Sequence, residues 1–246
     1  MQRSLRGALS ILGREALQIV LPSWCIACDR ELPWRDRVAS CCASCWSALP
    51  GIERARCRSC ALPAPVADLP TFLCISCSAN PLPVEWCDAW GEYRGGLERL
   101  LRALKFEKHD FLDDALASLL ESALLVRGDV AFDALVPVPM PRSRQRRRGY
   151  NQAELLARAL SRRVGIECDP SLLVRRPSRA PQSRLNRRER AANVRNAFTA
   201  SPAAAAQSIL IVDDICTTGE TLRACATALM EAGAARVCAI AVAKAL

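Results

Sequence analysis

Eight of the 14 cysteines in this 246-residue chain form four C-x-x-C pairs, an arrangement that limits the first third to a fold held by metal or disulfides. The pairs are Cys25/Cys28, Cys42/Cys45, Cys57/Cys60 and Cys74/Cys77, with 13 residues separating the two pairs of each half. Each cysteine of the first half recurs 32 positions later, so the segment reads as two copies of one unit. Two such knuckles complete a tetrahedral site of four thiolates, which suits zinc. Four thiolates leave no open coordination position, so both expected zincs are structural. Disulfides are the weaker reading, because no secretory signal is recognisable and spare cysteines would mispair in an oxidising compartment. The simplest pairing is sequential, with one metal per repeat; a cross-braced one, first knuckle with third and second with fourth, stays open. Cys41 neighbours Cys42, but its spacing to Cys45 is wrong for a tight knuckle. Cys87, Cys168, Cys225 and Cys238 lie in apolar contexts and read as small core residues. His109, the only histidine, reads as a surface residue.

The second constraint is the run from Ile209 to Leu222, Ile-Leu-Ile-Val-Asp-Asp-Ile-Cys-Thr-Thr-Gly-Glu-Thr-Leu. Four apolar residues read as a buried parallel strand, and a helical pattern runs from Glu220 to Ala232. The short loop between them aims backbone N–H groups and a positive helix end at an anion, most often phosphate. Gly219 permits close approach of the backbone, and Thr217, Thr218 and Thr221 offer hydroxyl donors. Asp213 and Asp214 repel phosphate but accept hydrogen bonds from sugar hydroxyls. A phosphate cradle beside a carboxylate pair implies a phosphorylated ribose. Cys216 reads as a spacer within this loop. The stretch resembles the PRPP-binding loop of type I phosphoribosyltransferases.

Hydrophobic residues make up 51% of the chain, enough for a sizeable core, and no apolar run reaches the length of a membrane span. Leu5 to Val20 reads as an amphipathic helix, and a cytoplasmic, reducing location is expected. Net charge is +9, and between Arg142 and Arg195 there are 16 arginines against Glu154, Glu167, Asp169 and Glu189. Arginine forks suit phosphates, whether pyrophosphate or a nucleic-acid backbone.

Three segments are expected: an N-terminal helix (1–20), a double zinc ribbon of two tandem four-cysteine units (21–86) and an α/β domain (87–246). In the last, strands are expected at Asp88–Tyr93, Phe132–Val138, Ile209–Val212 and Arg236–Ala243. Helices are expected at Leu97–Phe106, Phe111–Leu125 and Asn151–Val164, with a basic loop over Pro141–Gly149. Strands alternating with helices imply a parallel sheet whose ligands bind at the strands' carboxyl ends. Lys105 reads slightly better as a snorkelling helix residue than as a ligand contact. No aromatic between Gly165 and Leu173 offers a wall for a nucleobase.

From Leu21 onward the chain resembles the ComF family. The marks are Leu21-Pro-x-x-Cys25, the double ribbon, Lys105-Phe106, Val136-Pro-Val-Pro139, Arg148-Gly-Tyr-Asn-Gln-Ala153, Gln182-Ser183 with Arg190 and Asn193, and the 213–221 loop. The resemblance implies a type I phosphoribosyltransferase-like parallel sheet flanked by helices, behind a zinc ribbon, with a role in DNA uptake, natural transformation or DNA utilisation. It implies that Asp213 and Asp214 hold the ribose hydroxyls, while Thr217, Thr218, Gly219 and Thr221 cradle the 5'-phosphate. The segment Arg148, Gly149, Tyr150, Asn151, Gln152 takes the place of the pyrophosphate loop, and the Arg175–Asn193 segment, with Arg190, that of the flexible loop. Tyr150 also reads as a residue packing the helix start onto the sheet. The implied ligands and partners are PRPP with Mg2+, single-stranded DNA and competence proteins. Two functions follow: a PRPP-binding factor in DNA uptake, or a working phosphoribosyltransferase acting on a nucleobase or related acceptor.

Overall fold

The computed structural model describes residues 24–32, 37–38, 40–53, 55–65, 72–107, 109–128, 131–176 and 197–246. The expected N-terminal helix, Gln182, Ser183, Arg190 and Asn193 lie outside the described residues.

The tandem repeat of the sequence is a repeat of structure. In the first copy the Cys25 N–H bonds the Arg30 carbonyl at 2.7 Å, and in the second the Cys57 N–H bonds the Leu62 carbonyl at 2.7 Å. Asp29 and Ala61, 32 residues apart, both turn with positive φ, 58° and 60°. The first copy holds strands β1 (Arg37–Val38) and β2 (Cys41–Cys42) and helix α1 (Ala43–Ser47), and α2 (Ile75–Ala79) repeats that helix in the second copy.

Beyond the repeats come β3 (Cys87–Glu92), α3 (Gly95–Phe106), α4 (Asp113–Arg127), β4 (Ala134–Pro137), α5 (Arg142–Arg148) and α6 (Gln152–Val164). They are followed by β5 (Leu173–Arg175), β6 (Phe198–Ala200), β7 (Ser208–Cys216), α7 (Glu220–Glu231) and β8 (Arg236–Lys244). Four strands form a parallel sheet in the order β3-β8-β7-β4. Alternate residues of β7 and β8 face opposite ways. Leu210, Val212, Cys238 and Ile240 pack with α3, α4 and α6, while Ile209, Ile211, Ala239 and Ala241 pack with α7. Burial on both faces explains why β7 reads as an unbroken apolar run.

The sequence placed these elements within a few residues but took Pro141–Gly149 for a loop. Arg142–Arg148 is a helical turn pair, α5, because arginine is a good helix former, Pro141 fits the N-cap position and Gly149 ends the helix in the left-handed region. The short antiparallel pair β5–β6, which brackets residues 176–197, had no sequence signal.

Both edges of the parallel sheet are covered. Ile52 N–H bonds the Trp90 carbonyl at 2.9 Å and Glu92 N–H bonds the Pro50 carbonyl at 2.8 Å, so the link between the repeats runs along β3. At the other edge Leu135 N–H bonds the Glu167 carbonyl and Asp169 N–H the Leu135 carbonyl. That second edge leaves Cys168 only partly buried, whereas Cys87, Cys225 and Cys238 are core residues as expected.

Candidate metal clusters and phosphate-loop site

The eight knuckle cysteines gather as Cys25/Cys28/Cys42/Cys45 and Cys57/Cys60/Cys74/Cys77, each set with sulfurs within 4.8 Å of one another. This is the sequential pairing, and it disposes of the cross-braced one. Tetrahedral zinc with 2.3 Å bonds requires sulfurs about 3.8 Å apart. Cys25–Cys42 are 3.8 Å apart, Cys28–Cys42 4.0 Å and Cys60–Cys74 3.7 Å, so both donor sets fit. Backbone amides at matching places support the sulfurs, Cys42 N–H to Cys25 Sγ at 3.4 Å and Cys74 N–H to Cys57 Sγ at 3.3 Å. The Cys42 thiol is drawn down to about 6, first by the Ser44 hydroxyl. Cys41 lies 3.9 Å from Cys25 Sγ but outside the four-sulfur group, and burial, then the Cys25 charge, push its thiol up to about 12.

The second site lies at the carboxyl ends of β7, β4 and β8. Thr217 and Thr218 are exposed, Gly219 is buried with φ +82°, and α7 begins immediately after it. A left-handed glycine here turns the chain from strand to helix without a Cβ penalty. Behind the loop Lys244, buried at the end of β8, donates from Nζ to the Thr217 carbonyl and lies 3.8 Å from Cys216 Sγ. Lys244 carries no sequence signal, because a lysine ending an apolar strand ordinarily points to solvent.

Asp213 and Asp214 sit on consecutive residues but in different surroundings. Asp214 is buried, 2.5 Å from Lys105 Nζ and 3.4 Å from Gln152 Nε2, and Arg148 in turn donates to Gln152 Oε1. Lys105 is therefore an ion-pair partner of the carboxylate and not a snorkelling residue: its stem leaves the end of α3 toward the sheet, and its side chain is only 18% exposed. Asp213 accepts from the Asp214 N–H at 2.9 Å. Burial, and then the neighbouring Asp214 charge, raise its carboxyl well above the ordinary range.

Of the remaining candidates, Asn151 is buried and caps α6, donating to the Val138 carbonyl at 3.0 Å and accepting from Ala153 N–H at 3.2 Å. Tyr150 donates its hydroxyl to the Leu104 carbonyl, packing the start of α6 against the end of α3. Gln152, Arg148, Lys105 and Asp214 thus converge, while Thr221 lies in the first turn of α7. Beside them Lys105, Phe106, Arg144, Arg147 and Arg148 line a cavity of about 170 Å³. Phe106 is 70% exposed and faces Arg148 at 5.2 Å, an aromatic far in sequence from the Gly165–Leu173 stretch, which offers none. Burial, with Arg144 and Arg147 close by, lowers the Arg148 pKa.

Residues 146–245 match the family model of the phosphoribosyl transferase domain. The DNA utilization protein YhgH of Escherichia coli is 33% identical over 189 residues, 75% of this chain and 82% of that protein. Competence protein F of Haemophilus influenzae is 34% identical over 152 residues, 58% of this chain and 66% of that protein. Competence protein ComFC of Bacillus subtilis is 33% identical over 109 residues, 41% of this chain and 40% of that protein. With a parallel sheet flanked by helices, two four-cysteine clusters and relatives of this kind, the chain belongs to the ComF family of competence and DNA-utilisation proteins.

Proposed function

We propose that the chain binds PRPP at the β7–α7 loop and serves DNA uptake or utilisation, with two structural zincs holding its N-terminal repeats. The carrying observation is the buried Asp214 held by Lys105 beside the open Thr217–Gly219 turn at a helix N-terminus. Thr217, Thr218, Gly219 and Thr221 cradle the 5'-phosphate through backbone and hydroxyl donors. Asp213 and Asp214 accept from the ribose hydroxyls, with Lys105 paired to Asp214 at 2.5 Å to fix its orientation. Magnesium, bound with PRPP, supplies charge neutralisation at the pyrophosphate. Lys105 and Arg148 approach the same end of the site and suit a negatively charged leaving group. Arg142, Arg144, Arg146 and Arg147, none paired with a carboxylate among the described residues, supply a basic face for single-stranded DNA or for partner proteins of the uptake machinery.

Turnover is the second reading, favoured by one observation: the exposed Phe106 ring beside the cationic cavity offers a nucleobase or related acceptor a stacking surface. The deciding experiment measures PRPP binding by calorimetry, and pyrophosphate release with magnesium and a panel of nucleobases. Asp213→Asn with Asp214→Asn is the control. Binding without release supports a PRPP-responsive uptake factor, base-dependent release lost in the control makes the protein a transferase, and no PRPP binding at all overturns both readings.

A further inference from the structure

The two cysteine clusters are alike in local geometry and unlike in surroundings. The first packs against α3: Gly96 lies against Leu49 and Ala27, and Arg99 reaches Asp29 at 2.6 Å. The second lies on the β7–α7 loop. The Cys60 carbonyl accepts from Cys216 Sγ at 3.7 Å, one residue before the exposed threonines. Leu82 covers Gly219, its methyl carbons 3.2 and 3.3 Å from where a Cβ would stand. Arg223, in the first turns of α7, donates to the Asn80 and Pro81 carbonyls at 2.7 Å each. Ser59, inside the Cys57–Cys60 knuckle, accepts from the Leu82 N–H at 2.8 Å and ties that cover to the cluster.

All these contacts come from two short pieces of chain: the knuckle Cys57–Cys60, and the stretch Asn80–Leu82 that leaves Cys77. Neither piece belongs to a strand of the parallel sheet. The knuckle takes one bond from β3, Cys87 N–H to the Arg58 carbonyl at 2.8 Å, and a metal joining the cysteines would fix pieces so short further. We infer that the Cys57/Cys60/Cys74/Cys77 cluster is a positioning element for the phosphate loop, so that metal retention there and phosphoribosyl ligand binding strengthen each other, while the Cys25/Cys28/Cys42/Cys45 metal is indifferent to the ligand. This rests on the PRPP reading above. Linkage requires the coupling to run both ways: whatever the metal does for ligand affinity, the ligand does for metal affinity.

The test uses the full-length, zinc-loaded protein and a chromophoric chelator. At equilibrium with the chelator, saturating PRPP with magnesium is expected to raise the affinity for one zinc equivalent about tenfold, within the usual range of coupling, and to leave the other equivalent unchanged relative to magnesium alone. Leu82→Ala combined with Arg223→Ala should keep both equivalents of zinc but lose the protection and weaken PRPP binding. Arg99→Ala, which loosens only the first repeat, should retain both. Equal protection of the two equivalents, no protection although calorimetry shows PRPP bound, or full protection in the double variant would each overturn the inference. If PRPP does not bind the wild-type protein, the functional reading itself fails and the inference falls with it.

Discussion

Asp213 shares the end of one strand with a second carboxylate, and its carboxyl is raised well above the ordinary value by burial and by Asp214. A carboxyl with a raised folded pKa binds its proton more tightly in the native state, so stability falls as pH rises from the unfolded value toward the folded one. Asp213→Asn removes that loss. The variant is expected to melt above wild type, with a margin absent at pH values below 3.8 and growing to its full size above the folded pKa. Thermal melts of both proteins across pH, at fixed zinc, check this; a margin that does not change with pH would refute it. The same variant is expected to lose PRPP binding if the proposed site draws on that carboxylate, a case of a group kept at a cost in stability. Lys105 presents the converse case. Its removal in Lys105→Met leaves Asp214 buried without its cation and is expected to cost about 3 kcal/mol in chemical denaturation. Double substitution with Asp214→Asn should recover much of that loss.

Among the elements, the cover over the β3 edge lends itself to test. A Cβ on Gly91 would stand 2.6 Å from the Pro50 carbonyl oxygen and 2.8 Å from a Leu97 methyl. Backbone on one side and a buried leucine on the other leave little room to yield. Gly91→Ala is expected to destabilise by about 1–3 kcal/mol through overpacking and to push the inter-repeat link off the sheet. Faster hydrogen exchange at Ile52 and Glu92, whose amides make the cross-edge bonds, would report this. The helices and strands of the core were legible because each carries one period over many residues. The segment Arg142–Arg148 was not, since seven residues with no apolar stripe give no periodic signal, and only the caps at Pro141 and Gly149 mark a helix there. The pair β5–β6 was illegible for a related reason: three-residue strands far apart in sequence are defined by each other.

On the scale of the whole molecule, the two repeats lie on opposite faces of the parallel sheet. The first joins the core that holds α3, α4 and α6, and the second the core that holds α7. Stripping zinc is therefore expected to loosen both faces together, read as faster proteolysis of the region before Cys87 and a lower melting temperature, both reversed by added zinc. The arginines of α5 lead to a second expectation. Binding of single-stranded DNA should weaken steeply with salt, and replacing Arg144 and Arg147 with glutamine should reduce the log–log slope by about 0.7 for each phosphate left without its arginine. An affinity that is flat between low and moderate salt would exclude DNA as a partner.

The sequence alone determined the four-cysteine repeat, the order of strands and helices in the core, and the β7–α7 loop, because each is written in local spacing: cysteines 32 residues apart, apolar periods, a glycine between strand and helix. It favoured the sequential pairing of the knuckles without closing the cross-braced one, and it carried no record of Lys105 closing on Asp214, of Lys244 behind Thr217, or of Phe106 standing beside the arginines. Those relations join residues from 27 to more than a hundred positions apart. Each follows from where a side chain ends once both faces of the sheet are packed, and burial of a charge beside its partner is decided only at that stage. The same holds for the second cluster's seat on the β7–α7 loop, which the tertiary fold created by laying one copy of the repeat on each side of the sheet.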